Sequence, residues 1–152
     1  MAVAVSPADD ARPPTRSERK LAWLLRVLGL LFVAAAIGFL LRPDGTVVGL
    51  DRVGALAGLP MLTATSRPMA SDFWLSFAVA NMATLAACAW LAAGDVRRRR
   101  PLVHVIVVSA LALAGTAALL FVRWAHAFSF LAAALVGLTI AIVLISALRD
   151  PR

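Results

Sequence analysis

The chain has 152 residues, 62% of them hydrophobic and 15% charged, with a formal net charge of +7 and a pI near 11.6. A soluble domain carries about 25% charged residues, so this composition argues against a water-facing surface, and a single cysteine, Cys88, excludes an internal disulfide. The arginines lie between apolar runs rather than on one soluble face, and no aromatic or glycine motif for base stacking accompanies them, which argues against nucleic acid and for anionic lipid headgroups as partner.

Residues 1–20 are polar, with mixed charge and Pro13-Pro14, the composition of a disordered tail. The first apolar run covers 21–41. It is longer than the apolar core of a signal peptide and no small-residue cleavage site follows Leu41, so it reads as an uncleaved anchor. The connection 42–71 holds Gly45, Gly49, Gly54 and Gly58 yet stays apolar through Val47, Val48, Leu50, Val53, Leu56, Leu59, Met61 and Leu62. A wholly solvated loop has no use for those side chains. Two readings stand: an amphipathic segment that lies on the outer membrane face or caps the bundle, or a lid over a cavity between helices.

Three more apolar runs follow, over 72–94, 102–122 and 126–148. Each of the four is about 20 residues, enough at about 1.5 Å per residue to cross a hydrocarbon core of about 30 Å. In lipid only helices and closed barrels satisfy their own backbone groups, and barrel-type alternation is absent. All eight prolines fall outside these runs. Trp23 and Trp90 lie near one expected interface and Trp74 and Trp124 near the other, as an aromatic belt requires. Arg12, Arg16, Arg19, Lys20, Arg97, Arg98, Arg99, Arg100, Arg149 and Arg152 make ten basic residues on one side, against Arg42, Arg52, Arg67 and Arg123 on the other. The positive-inside rule then puts both termini and the 97–100 loop in the cytoplasm. The expected fold is an all-α integral membrane four-helix bundle over 21–148, with one long outer loop between the first two spans, in the cell's inner (plasma) membrane.

Helices in lipid associate through small residues and a few polar bonds. Rows at four-residue spacing occur in the second span (Ser76, Ala80, Thr84, Cys88, Ala92), the third (Ala110, Ala114, Ala118) and the fourth (Ser129, Ala133, Gly137, Ala141), and the first offers Ala34 and Gly38. These are the predicted contact seams, with Leu85 predicted to face lipid.

Ionisable groups at membrane depth mark function, and no Asp, Glu or Lys lies in the middle of a span. Arg26 is placed to snorkel toward headgroups or to pair with Asp95. Three residues are candidates for contacting a cofactor: Asn81, His104 and His126. The two histidines start successive spans from opposite faces, about one membrane thickness apart, so a single haem cannot bridge them. They read as interfacial polar residues, with single-histidine ligation of a haem or pigment left open. Asn81 falls near the midplane and shares a helix face with Thr84 and Cys88. It is expected to bond Ser109, Thr116 or Thr139 on another helix, or to contact a ligand such as a quinone. No metal site, nucleophile–base pair, phosphate loop or proton relay is legible, so neither a catalytic residue nor a cofactor is expected.

The run LRVLGLLFVAAAIGFLLRP at 25–43 with its glycine-rich sequel, and DFWLSFAVANMATLAACAWLA at 72–92, resemble small bacterial four-helix membrane proteins of the DoxX-like type. The resemblance rests on hydropathy and glycine placement and brings no catalytic motif. It implies a membrane subunit of a quinone-linked oxidoreductase as one function. The residues themselves favour a non-catalytic accessory or scaffolding subunit of a membrane complex, partnered by other membrane subunits and, at Arg97, Arg98, Arg99 and Arg100, by anionic headgroups. A small carrier is the third reading.

Overall fold

The computed structural model of the chain describes residues 13–59, 72–123 and 128–149, with the backbone alone at 43–44, 46–47 and 72–76. Five helices follow in order: α1 (Arg16–Leu41), α2 (Pro43–Ala55), α3 (Asp72–Gly94), α4 (Arg100–Arg123) and α5 (Phe128–Arg149). Among the described residues there is no strand. α1, α4, α5 and the Phe77–Gly94 part of α3 are long and apolar enough to cross a membrane. Trp124 and His126 lie outside the described residues, as does the Trp74 side chain.

α1 begins at Arg16, inside the segment expected to be a disordered tail. Its start is a capping box: Thr15 Oγ1 accepts from the Glu18 N–H at 3.3 Å, and Glu18 Oε2 accepts from the Thr15 N–H at 2.7 Å. Two of the four orphan donors of a helix start are thereby met. Pro43 ends α1, since a residue before proline is driven out of the helical region; Arg42 sits at φ −148° and ψ 73°. The same proline opens α2 at its first position, where its missing N–H costs nothing. The expected outer loop is therefore helical over Pro43–Ala55. α2 stops in a Schellman turn, with Gly58 at φ +77° and the Leu59 N–H reaching back to the Gly54 carbonyl at 3.2 Å.

α1 packs along α3 and α4 along α5, and α3 against α4 joins the two pairs. α1 and α5 touch only lightly. The core comprises Leu21, Leu25 and Leu28 of α1, Leu85, Ala89 and Ala92 of α3, Val96 of the turn that follows it, Val103, Ile106 and Ala110 of α4, and Ala141 and Leu144 of α5. All of these lie in the half of each helix nearest the α3–α4 turn. The bundle is tight at that end and looser toward α2. Large apolar side chains cover its outside: Leu31, Leu40, Val108, Leu119 and Ile142 are each more than half exposed. Soluble monomers rarely show apolar surface on this scale.

The seam predicted on α3 is not its packing face. Ala80 and Thr84 are exposed and Cys88 is half-buried, whereas Leu85, predicted to face lipid, is 7% exposed and in the core. A four-residue row turns about 40° per step on a helix of 3.6 residues per turn, so it leaves one face within a few turns. Leu85, Ala89 and Ala92 take steps of four and three and stay on it, so Ala92 alone of the predicted row is fully buried among the described residues. On α5 the row holds better, with Ser129, Gly137 and Ala141 buried. A Cβ on Gly137 would sit 2.6 Å from the Ala110 carbonyl oxygen and 3.0 Å from the Ala114 nitrogen, so α4 and α5 meet backbone to backbone there.

A bulky side chain at that point has no flexible neighbour to displace. Gly137→Leu should lower unfolding stability in detergent by about 1–3 kcal/mol, whereas Ala80→Leu should leave it unchanged within about 0.5 kcal/mol. Equal thermal shifts in the two variants would contradict this packing.

Candidate functional site

Asn81, at mid-length on α3, is exposed, and among the described residues it has no hydrogen-bond partner. The expected interhelical bond is absent. Thr139 donates to the Leu135 carbonyl of its own helix at 2.8 Å, Thr116 is exposed, and Thr84 beside Asn81 donates to the Ala80 carbonyl at 2.9 Å. Asn81 lies within about 40° of Leu85 and Ala92 around α3, yet those two are buried and Asn81 is exposed, because it sits a turn further toward the end where the bundle has begun to open. Beside it on the same side of the helix Phe77 and Thr84 are exposed and Cys88 is half-buried. His104 is exposed one turn into α4, its Nδ1 2.9 Å from the Arg100 carbonyl. With α3 and α4 antiparallel, His104 and Asn81 differ in depth by about 13 Å. They do not form one site. Among the described residues no group of three or more His, Cys, Asp or Glu side chains is placed to hold a metal.

Two arginines of the turn between α3 and α4, Arg97 and Arg99, bond within the chain. Arg97 grips Glu18 with two bonds, Nε to Oε1 at 2.6 Å and Nη2 to Oε2 at 2.9 Å, and also reaches the Pro13 carbonyl at 3.2 Å. Arg99 donates to the Leu91 carbonyl at 2.8 Å, satisfying the end of α3. Arg98 lies 3.9 Å from Asp95, so the carboxylate considered for Arg26 is engaged elsewhere, and Arg26 itself is exposed. Glu18 thus serves both the α1 cap and the tie to the far turn.

At the opposite end a residue that sequence reasoning passed over holds α2 to α5. Asp51 is fully buried and accepts from the Ser129 N–H at 2.9 Å, capping the first turn of α5 from another helix. A carboxylate there meets both an orphan donor and the positive end of the helix dipole. Three residues on, Gly54 lets α2 lie against Phe128, whose Cβ occupies the space that a Gly54 side chain would take. The signal was a lone acid in the apolar run 47–59, three residues before a glycine. Of the two readings of this segment, the geometry is that of a cap on the bundle; α2 lines neither of the cavities described next.

Because α1 and α5 barely touch, a groove runs between them. Its mouth is a cavity of about 950 Å³ lined by Arg16, Arg19, Lys20, Trp23 and Ser146. Deeper lies a crevice of about 120 Å³ lined by Val27, Leu28, Leu31, Ile140 and Leu144. Leu24 and Val143 line both, so the two are continuous. The start of α1 and the end of α5 share this mouth and therefore the same end of the bundle.

Compared with known proteins, the chain matches no family model, no curated protein and no solved structure.

Two predictions follow from the polar ties. The bond to Arg97, with those from Thr15, outweighs desolvation and holds the Glu18 carboxyl, ahead of the apolar run, at about 2 against an ordinary 4.5. A depressed carboxyl pKa contributes stability in full above about 4.5 and loses it as pH falls toward 2. Thermal unfolding of the wild type should accordingly weaken across that window more than that of Glu18→Gln; parallel pH profiles would count against the tie. Asp51→Ala should cost about 1–2 kcal/mol and speed amide exchange at Ser129, while exchange at Ala110 stays slow.

Proposed function

We propose that this chain is a non-catalytic, multi-pass protein of the cell's inner membrane that serves as an accessory or scaffolding subunit, docking a helix of another subunit on the outer face of α3. Both termini and the 97–100 turn face the cytoplasm in this reading, which the ten-to-four bias of basic residues supports. The observation that carries it is Asn81. An amide with no partner, at mid-depth in hydrocarbon, costs several kcal/mol by transfer scales, roughly 2–7. Thr84, exposed, and Cys88, half-buried, share its side of the helix and are small enough for another backbone to approach. The chain's own helices leave that face uncovered. A partner helix with a polar side chain at matching depth resolves the cost of the amide.

The quinone-linked role implied by the DoxX-like resemblance, and the carrier role, have less support. His104 bonds its own helix, Asn81 is exposed, and neither lines the α1–α5 groove.

A photoreactive residue placed at Thr84, in native membranes, should cross-link to another membrane protein, and the same probe at Leu111 on the outside of α4 should label lipid alone. Asn81→Leu should abolish the protein cross-link by removing the amide bond, yet leave the isolated chain's unfolding temperature unchanged, since no internal partner is lost. Lipid adducts alone at Thr84, or a destabilised Asn81→Leu monomer, would refute the reading.

A further inference from the structure

The α1–α5 groove has the form of an amphiphile. At its mouth Arg16, Arg19 and Lys20 are exposed, and among the described residues none of the three meets a carboxylate. Trp23 stands beside them, 65% exposed, an amphipathic ring at the level where such rings meet headgroups. The groove has two hydroxyls, Ser146 at the mouth and Thr139 in the otherwise apolar crevice, and both are spent: Ser146 donates to the Val143 carbonyl at 2.9 Å and Thr139 to the Leu135 carbonyl at 2.8 Å. The crevice therefore holds no free side-chain proton donor for a polar ligand, while a hydrocarbon chain asks for none. Depth agrees with this. From Lys20 to Leu31 the helix axis advances about 16 Å, about half of a 30 Å hydrocarbon core, the reach of an acyl chain in one leaflet.

We propose that the groove between α1 and α5 binds one anionic phospholipid of the leaflet at the α1 N-terminus, its phosphate among Arg16, Arg19 and Lys20 and an acyl chain along Leu24, Leu28 and Val143. Cations at the mouth select a negatively charged headgroup, and the lipid bridges the two helices where they touch only lightly. The site is separate from the α3 face and does not depend on it.

Native mass spectrometry of the full chain, released from micelles containing equal amounts of phosphatidylglycerol and phosphatidylcholine, tests the assignment. The wild type should keep one phosphatidylglycerol per chain. Arg19→Gln/Lys20→Gln should weaken that adduct by about tenfold or more, given roughly a fivefold effect per basic residue. Arg52→Gln/Arg123→Gln, with the same change in charge at the other end, should leave it intact. Val143→Trp should expel the lipid with every cation in place. Should a variant fail to fold, a diazirine-bearing phosphatidylglycerol on the wild type answers the same question, by labelling peptides of α1 and α5. An adduct that survives both the mouth variant and Val143→Trp overturns the proposal. So does an equal loss in the Arg52/Arg123 control, which would mean diffuse attraction, or a disulfide-linked dimer of Val27→Cys, which would put a second copy in the groove. Asn81→Leu should leave the adduct unchanged, so this site and the α3 face stand or fall separately.

Discussion

Apolar burial gives helices in hydrocarbon little reason to associate, because lipid tails are as apolar as leucine. The bundle rests instead on places where backbones come close, and the contact of α4 with α5 at Gly137 is the tightest of these, with the Ala110 carbonyl and the Ala114 amide directly opposite. Gly29 plays a similar part between α1 and α3, where the Trp90 indole fills the space of a side chain. Two helix pairs result, and the α3–α4 contact joins them along one edge. The other edge, between α1 and α5, stays open. The groove is a consequence of that serial order, not an added feature.

Polar ties then fix the two ends. Glu18 and Arg97 link the start of α1 to the α3–α4 turn, and Asp51 links α2 to the start of α5. Each tie satisfies a helix terminus that would otherwise leave orphan N–H groups. Each also connects elements far apart in sequence. Ser129 shows the limit of this economy: its N–H is met by Asp51, but its buried hydroxyl has no partner among the described residues.

Two outward surfaces follow from the same geometry. The α3 face around Asn81 is a polar and small-residue strip without a partner, and the α1–α5 groove is a cationic mouth above an apolar crevice. One asks for a helix, the other for a lipid. Among the described residues neither surface holds a group of three or more His, Cys, Asp or Glu side chains that could bind a metal.

Sequence alone determined the helical class, the four apolar runs and their limits within a few residues, because span length and proline exclusion are local consequences of hydrocarbon thickness and backbone chemistry. It also found Gly137 and Ala141, since small residues on the most apolar helix have few other uses. It did not find Asp51 or the Glu18–Arg97 tie. Each depends on a partner 78 or 79 residues away, and nothing local distinguishes such a carboxyl from a solvated one. Nor could it orient α3. That helix is apolar on every side, so its own pattern prefers no face. Only the packing of the four helices together decided that α3 is covered at Leu85 and Ala89 but open one turn earlier at Asn81, and the place where α1 and α5 fail to meet is likewise a property that no single run encodes.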